Sequence, residues 1–497
     1  MSALRVFAAV LCAALAWAAP VRADTGMLGW SDADIVQALD AFMPRLMEAQ
    51  NVPGAQVAFW RNGRLVHARG FGVANAWTRV PVDGETLFEV GTLSAPIASY
   101  AALAITARGS LTLDGDVGRG LDPPWLAPGP GGRIPDVTLR QLLTHTSGLG
   151  ADIRRSVHRI ETPPGARFLH SGEGLDYLGY VLAAHGGAPF AETVAREVLR
   201  PLGMTAGGFA LDAGQFARMA TGHAPVWMPV ALAGVPFVAA VLVALVLLSA
   251  AVRIVWHQPR LELRHLLWAL AAGGVAAALA VLETAGLGLA FPILLTAAVF
   301  VVVAVAAAAM WRLAFHLIGF TRAREGTVVR RHEARTGLWR RIALLLGLAT
   351  AAPLLILNVP VPLRAAGDVH PAASLRTTAG DMARFAGELL APRRLSPRLA
   401  AAMGAPQVEV GDGISWGLGI GIRERALPDG GVQRTLWEAG ANPGYRSLMV
   451  VSPADRTALV VLTNSQTGGA MTQVLAGHVF GGLDAVDDGR GWRLPPR

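Results

Sequence analysis

Leu142-Leu-Thr-His-Thr-Ser-Gly-Leu149 is the stretch on which the fold reading turns. It follows a segment with apolar residues at three- and four-residue spacing, Ile97 to Arg108. Two more such segments come after it, Leu175 to Ala184 and Phe190 to Leu199, so the stretch reads as a turn set among helices. Upstream, Gln56-Val-Ala-Phe-Trp60 and Leu65-Val-His-Ala-Arg69 flank Arg61-Asn-Gly-Arg64, the pattern of a β-hairpin. Downstream, 373 to 390 reads as helix, and Gly417 to Ile422, Gln433 to Trp437, Tyr445 to Val451 and Thr457 to Leu462 read as consecutive antiparallel strands. The sum is an α/β (α+β) domain, with helices packed on an antiparallel sheet.

Between these two parts the composition changes. Long runs of Ala, Val and Leu at 231 to 252, 266 to 282, 292 to 311 and 342 to 361 are each about the 20 residues that cross a bilayer core. They predict a four-helix transmembrane insert at 229–363, which separates a first part of the domain at 24–228 from a second at 364–497. The loops after the first and third runs hold eleven arginines against Glu262, Glu325 and Glu333, which accounts for the whole formal charge of +8 and marks them as cytoplasmic. Charge is thus a topology signal, and nucleic acid is not an expected partner. Membrane lipids are, with a plain positive-inside loop as the simpler reading of the arginines. Glu283, at a run's end beside Thr284 and Gly286, reads as an interfacial carboxylate rather than a transport group.

Arg5, the apolar run Val6 to Ala19 and Val21-Arg22-Ala23 form a signal peptide over 1–23. The expected location is therefore a multi-pass inner-membrane protein with its domain on the periplasmic or extracellular side. All 43 basic side chains are Arg and there is no lysine. The single Cys12 falls in the signal segment, so cysteine supplies no disulfide or metal site afterwards. No metal and no cofactor are expected.

Several phrases then resemble the serine beta-lactamase, penicillin-binding and esterase superfamily. They are Val52-Pro-Gly-Ala, Thr86-Leu-Phe-Glu-Val-Gly, Gly109-Ser-Leu-Thr-Leu-Asp and Leu142 to Leu149, continued by Pro164-Gly-Ala-Arg-Phe-Leu-His-Ser-Gly and Pro201-Leu-Gly-Met204. Ser374-Leu-Arg-Thr-Thr-Ala-Gly-Asp-Met382 and Pro443-Gly-Tyr through Leu462-Thr-Asn-Ser complete the order. The resemblance covers roughly 330 residues, far more than one short phrase could carry. It implies two lobes, one helical and one α/β, with a cleft between them.

The family acylates the serine of a Ser-x-x-Lys motif, whose lysine one turn on takes the proton. The matching phrase is Thr92-Leu-Ser-Ala95, which keeps a hydroxyl and loses the base. Sliding to Ser94 brings Ile97 to the lysine position and restores nothing. Tyr-x-Asn is replaced by His170-Ser-Gly172, and the edge-strand Lys or His-Thr-Gly by Glu438-Ala-Gly440, a negative charge that repels a carboxylate substrate. By resemblance Ala95, Gly172, Gly440 and Ala441 stand at substrate-binding positions, and the backbone N–H groups of Thr92 and Ala441 at an oxyanion hole.

Two readings stay open. One is a catalytically impaired binding or regulatory scaffold at the cell envelope, taking a peptidoglycan-like peptide or a membrane protein partner. The other is an esterase or peptidase rewired around Thr92 as nucleophile, His170 as base and Glu438 as its orienter. His145 reads as part of a structural turn, Tyr445 as packing, and Arg446 as a surface strand residue.

Overall fold

The computed structural model describes residues 26–121, 123–128, 135–151, 157–225, 358–361, 363–426 and 431–481. The strands in chain order are β1 (Gly54–Arg61), β2 (Arg64–Gly72), β3 (Phe88–Glu89), β4 (His223–Pro225), β5 (Asn358–Pro360) and β6 (Arg376–Thr377). They continue with β7 (Val408–Gly411), β8 (Ile414–Trp416), β9 (Gly421–Ala426), β10 (Val432–Asn442), β11 (Tyr445–Ser452) and β12 (Thr457–Thr463). The helices are α1 (Asp32–Ala49), α2 (Ser94–Ala107), α3 (Leu139–Leu143), α4 (Gly172–Gly186), α5 (Phe190–Val194), α6 (Ala213–Ala217), α7 (Ala379–Leu390), α8 (Pro397–Met403) and α9 (Gly468–Phe480).

The main sheet has eight strands in the order β2-β1-β12-β11-β10-β9-β8-β7, all antiparallel. The β1–β2 hairpin turns on Asn62 and Gly63, both at positive φ, the backbone that a two-residue turn between twisted strands needs. Strand period two then divides the core. Val57, Phe59, Leu448, Val450, Leu459 and Val461 pack on one face with Ile35, Leu39 and Met43 of α1 and Met471, Leu475 and Val479 of α9. Ala58, Met449, Val451, Val460 and Leu462 face the other way, into a larger core with α2, α4 and α7. Both faces are covered, so these strands read as nearly unbroken apolar runs, and each large aliphatic removed from water contributes roughly 1.5–3 kcal/mol. Helix starts are fixed by side-chain caps: Ser31 for α1, Ser171 for α4 and Thr378 for α7.

The chain divides into two compact units, Met1–Gly222 with Leu363–Arg497, and His223–Pro362. Of the second, the described part is the β4–β5 ladder, which pairs His223 with Pro360 and Pro225 with Asn358.

The transmembrane insert and the multi-pass membrane location are corrected. Among the described residues no helix is long and apolar enough to cross a membrane. The longest, α1, buries one stripe and carries Asp32, Asp34, Asp40, Arg45 and Glu48 elsewhere, while the strongly apolar α2 has 14 residues and is buried within the core. Within the fourth apolar run, Asn358–Pro360 is a strand whose backbone pairs with β4. The other runs, the loops between them and the segment 1–23 lie outside the described residues.

The predicted strand at Gly417 to Ile422 is displaced to Gly421–Ala426. Gly419 takes φ +83 and its N–H goes to the Leu143 carbonyl oxygen at 2.9 Å, so 417–420 is a loop against the helical lobe despite its alternating apolar pattern.

Candidate active site

Thr92 sits in a single 3-10 turn, Gly91–Leu93, that leads into α2. The turn rests directly on the backbone of β10. A Cβ on Gly440 would fall 1.9 Å from the Val90 carbonyl oxygen, and one on Gly91, at φ +57, would fall 2.5 Å from the Ala441 nitrogen. Only glycine at both positions permits this approach. Hydrogen bonds then lock the turn. Ser447 Oγ donates to the Val90 carbonyl oxygen at 2.7 Å, Ser94 Oγ donates to that of Gly91 at 2.6 Å, and the Leu375 N–H donates to Ser94 Oγ at 3.1 Å. Ser94 is thereby a fastening rather than a nucleophile.

The Thr92 hydroxyl donates to the Ala439 carbonyl oxygen at 2.5 Å. In this rotamer the hydroxyl hydrogen points at the β10 backbone rather than at a side-chain base. Ala95 is 1 % exposed and belongs to the large apolar core with Leu93, Ile97 and Ala98. The lysine position of the family motif is here a core methyl group.

His170 lies on a segment clamped by His145. The Leu169 N–H donates to the His145 carbonyl oxygen at 2.8 Å and the Ser171 N–H to His145 Nδ1 at 3.1 Å, one bond on either side of residue 170. The two imidazoles lie 4.4 Å apart between centroids, tilted by 31°, and His170 meets the Trp416 ring edge-on at 5.6 Å. His145 has φ +56, a left-handed backbone that makes the sharp turn of 142–149. Ser171 caps α4 by accepting the Gly174 N–H at 2.7 Å and donates to the Gly150 carbonyl oxygen at 2.8 Å. Gly172 opens that helix, buried, with no side chain to offer in place of the family amide.

Glu438 is buried in β10 opposite Met449. Strand alternation puts it on the face of Leu436 and Met449, the face toward the helical lobe. Thr92, Gly440 and Ala441 are thus brought together by backbone contact, and His170 is brought to His145 and Trp416.

A buried polar network behind β10 is one the sequence reading passed over. Asn442 Nδ2 donates to Glu89 Oε2 at 2.6 Å and to the Ala373 carbonyl oxygen at 2.9 Å. Glu89 Oε1 lies 3.7 Å from Nε of Arg376, which is 0 % exposed and donates from its other two nitrogens to the Ala365 and Ala366 carbonyl oxygens. Glu89 and Arg376 each stand as a charged residue within a largely apolar or small-residue phrase, Thr86 to Gly91 and Ser374 to Met382, which is the sequence signal for the pair. Arg446, expected at the surface, is buried, with Nη1 donating to the Asn442 and Tyr445 carbonyl oxygens. Tyr445 packs as expected, and its hydroxyl donates to the Ala220 carbonyl oxygen at 2.5 Å. Burial raises its phenol well above the usual range.

Beside the site, the first turns of α4 carry Glu173 and Asp176. Glu173 is fully buried, accepts the Gly150 N–H at 3.2 Å and lies 3.5 Å from His158 Nδ1. Burial, and then the neighbouring Glu173 charge, push the Asp176 carboxyl up to about 7. Among the described residues no group of three or more His, Cys, Asp or Glu side chains is placed to hold a metal ion.

The Thr92 turn on a glycine-relieved strand and the capped helix after the 142–149 turn fall within residues 39–480, which match the Beta-lactamase family. The chain belongs to this beta-lactamase family. It is 31% identical over 207 residues to Esterase EstB of Burkholderia gladioli, covering 36% of this chain and 52% of that one. It is 28% identical over 210 residues to a Beta-lactamase of Pseudomonas fluorescens, covering 40% and 57%. The chain therefore spans about half the length of these curated relatives. A class C beta-lactamase structure superimposes with TM-score 0.55 at 16% identity, over 92% of this chain and 98% of that one, which shows the shared fold. The protein is accordingly a beta-lactamase-fold member of a serine hydrolase family that includes esterases and beta-lactamases.

Proposed function

We propose that this beta-lactamase-family protein is catalytically impaired and uses its cleft as a binding or regulatory scaffold, with a peptidoglycan-like peptide as the ligand class. The observation that carries the reading is at Thr92. Its one hydroxyl hydrogen goes to Ala439, and the position one helical turn on, Ala95, is a methyl buried in the core. Acyl transfer needs a group that takes the nucleophile's proton, and the sequence holds no lysine to supply it from elsewhere. Loss of the phenol and amide at His170 and Gly172, and a carboxylate at Glu438 where the family has a cation or imidazole, weigh the same way.

The second reading, a hydrolase rewired around Thr92, His170 and Glu438, draws on one observation. The His145 clamp on both sides of residue 170 is the kind of support that a catalytic imidazole requires.

Labelling of the purified protein with a fluorescent penicillin and a fluorophosphonate, beside Thr92→Ala and read by intact mass, separates the two. The scaffold reading expects no adduct from folded protein. An adduct that disappears in Thr92→Ala would overturn it in favour of the hydrolase.

A further inference from the structure

The six asparagines of the chain differ in one kind of chemistry, loss of the side-chain amide. The backbone nitrogen of the following residue attacks the asparagine Cγ, gives up its proton to hydroxide, and ammonia leaves as a five-membered succinimide closes. Water then opens the ring at one carbonyl or the other, giving aspartate or isoaspartate, whose main chain runs through Cβ. The reaction needs an untied side-chain amide and a following nitrogen that is neither hydrogen-bonded nor crowded.

Asn62 meets each condition. It is the one asparagine followed by glycine, Gly63. Both residues are exposed at the tip of the β1–β2 hairpin. Among the described residues neither the Asn62 side chain nor the Gly63 N–H makes a hydrogen bond, and a Cβ built on Gly63 would meet nothing within 4 Å. The tie at the tip is the Asn62 N–H, which donates to the Arg456 carbonyl oxygen at 3.0 Å. It precedes the Asn62 Cα–C bond, whose rotation carries the Gly63 nitrogen onto Cγ. Local opening of an exposed tip costs far less than unfolding the sheet behind it.

The other five are each hindered. Asn442 precedes Pro443, which has no N–H, and gives Nδ2 to Glu89 and Ala373. Asn75 accepts the Trp77 and Thr78 N–H groups on Oδ1, at 2.8 and 3.2 Å, and donates from Nδ2 to Thr221. Asn464 is 0 % exposed, with Nδ2 donating to the Val73 and Ala74 carbonyl oxygens. Asn51 and Asn358 precede Val52 and Val359, whose branched side chains crowd the attacking nitrogen.

We propose that Asn62 is a self-modification site, the position at which this chain first deamidates, with isoaspartate among the products. The two-residue turn pairs Arg61 with Arg64, and an isoaspartate adds a main-chain carbon to it, so the modified hairpin opens at its tip.

The test is peptide mapping by mass of the full chain, held folded in mildly alkaline buffer at body temperature and sampled over weeks. A gain of one mass unit is expected in the peptide that carries Asn62 and Gly63, at least tenfold faster than in any peptide carrying another asparagine. That peptide should separate into two products, one of them labelled by a protein isoaspartyl methyltransferase. In Asn62→Gln, whose ring would need six members, the mass gain of the whole chain should slow to that of the remaining sites. Earlier gain at another asparagine would overturn the proposal. So would a gain at Asn62 confined to a urea-unfolded sample, because the folded turn would then protect it. If Asn62→Gln fails to fold, the map of the parent chain decides by itself.

Discussion

The imidazole Nδ1 of His145 accepts the backbone N–H of Ser171 at 3.1 Å, and this bond ties the turn of 142–149 to the start of α4. The lone pair must be on Nδ1, so a neutral ring carries its hydrogen on Nε2. Two demands meet at one residue, a side-chain acceptor and a left-handed backbone. Asparagine meets both better than other replacements. His145→Ala is expected to lose roughly 1–3 kcal/mol in urea unfolding, as a buried N–H loses its partner. His145→Asn should lose less. Equal losses for the two would remove the acceptor role.

Restoring the family base is expected to damage rather than revive the protein. In Ala95→Lys an ammonium would replace a methyl among Leu93, Ile97 and Ala98. Thermal unfolding should show a loss on the order of 3 kcal/mol or more, the scale of an unpaired buried charge. A beta-lactam adduct on Thr92 in the folded variant would contradict this.

Gly440→Ala places a carbon where the Val90 carbonyl oxygen stands, at 1.9 Å. Neither backbone is a flexible tip that can step aside, so the Val90 to Thr92 turn must lift from β10. A drop of about 2 kcal/mol or more is expected, along with loss of protection from amide hydrogen exchange at Ser94 and Leu375, whose contacts hold that turn. An unchanged midpoint would show that the two backbones can part freely.

Asp176 makes stability depend on pH. Its carboxyl is raised to about 7 in the folded chain, from 3.8, so the folded state holds the proton more tightly than the unfolded one. Stability from this group is present below about 4, falls as pH rises toward 7, and is fully lost above. Asp176→Asn is expected to be the more stable protein at pH 8, by on the order of 2–4 kcal/mol, and to match the parent near pH 4. Urea titrations at the two pH values check it, and a constant difference would assign the effect to something other than the proton.

The motif phrases made the fold legible because they fall where the backbone is constrained: His145 and Gly148 at positive φ, and Gly440 under Val90. The hairpin was legible from Asn62 and Gly63 between two strand-forming arms. Periodicity misled at 417–420, where Leu418 and Ile420 alternate like a strand but are buried by a loop, and it said nothing of Glu89, Arg376 and Asn442. A buried ion pair bridging residues hundreds of positions apart leaves no local pattern. The substitutions at the family's motif positions, Ala95, His170, Gly172 and Glu438, were visible as letters. Only the folded chain shows that Ala95 is sealed in the core and that the Thr92 hydroxyl donates to Ala439.

The place of β12 between β1 and β11 governs how this sheet can be assembled. Of the eight strands it is made last, yet it is an inner one, and β1 is among the first made. Until Thr457–Thr463 arrives, the β1–β2 hairpin has no second neighbour and presents Val57 and Phe59 beside an open row of amides and carbonyls. Closing the ladder joins segments about 400 residues apart, and such late, long-range pairing is slow because the loop entropy is lost before the contacts form. During synthesis the hairpin edge is therefore open to mispairing with a second nascent chain.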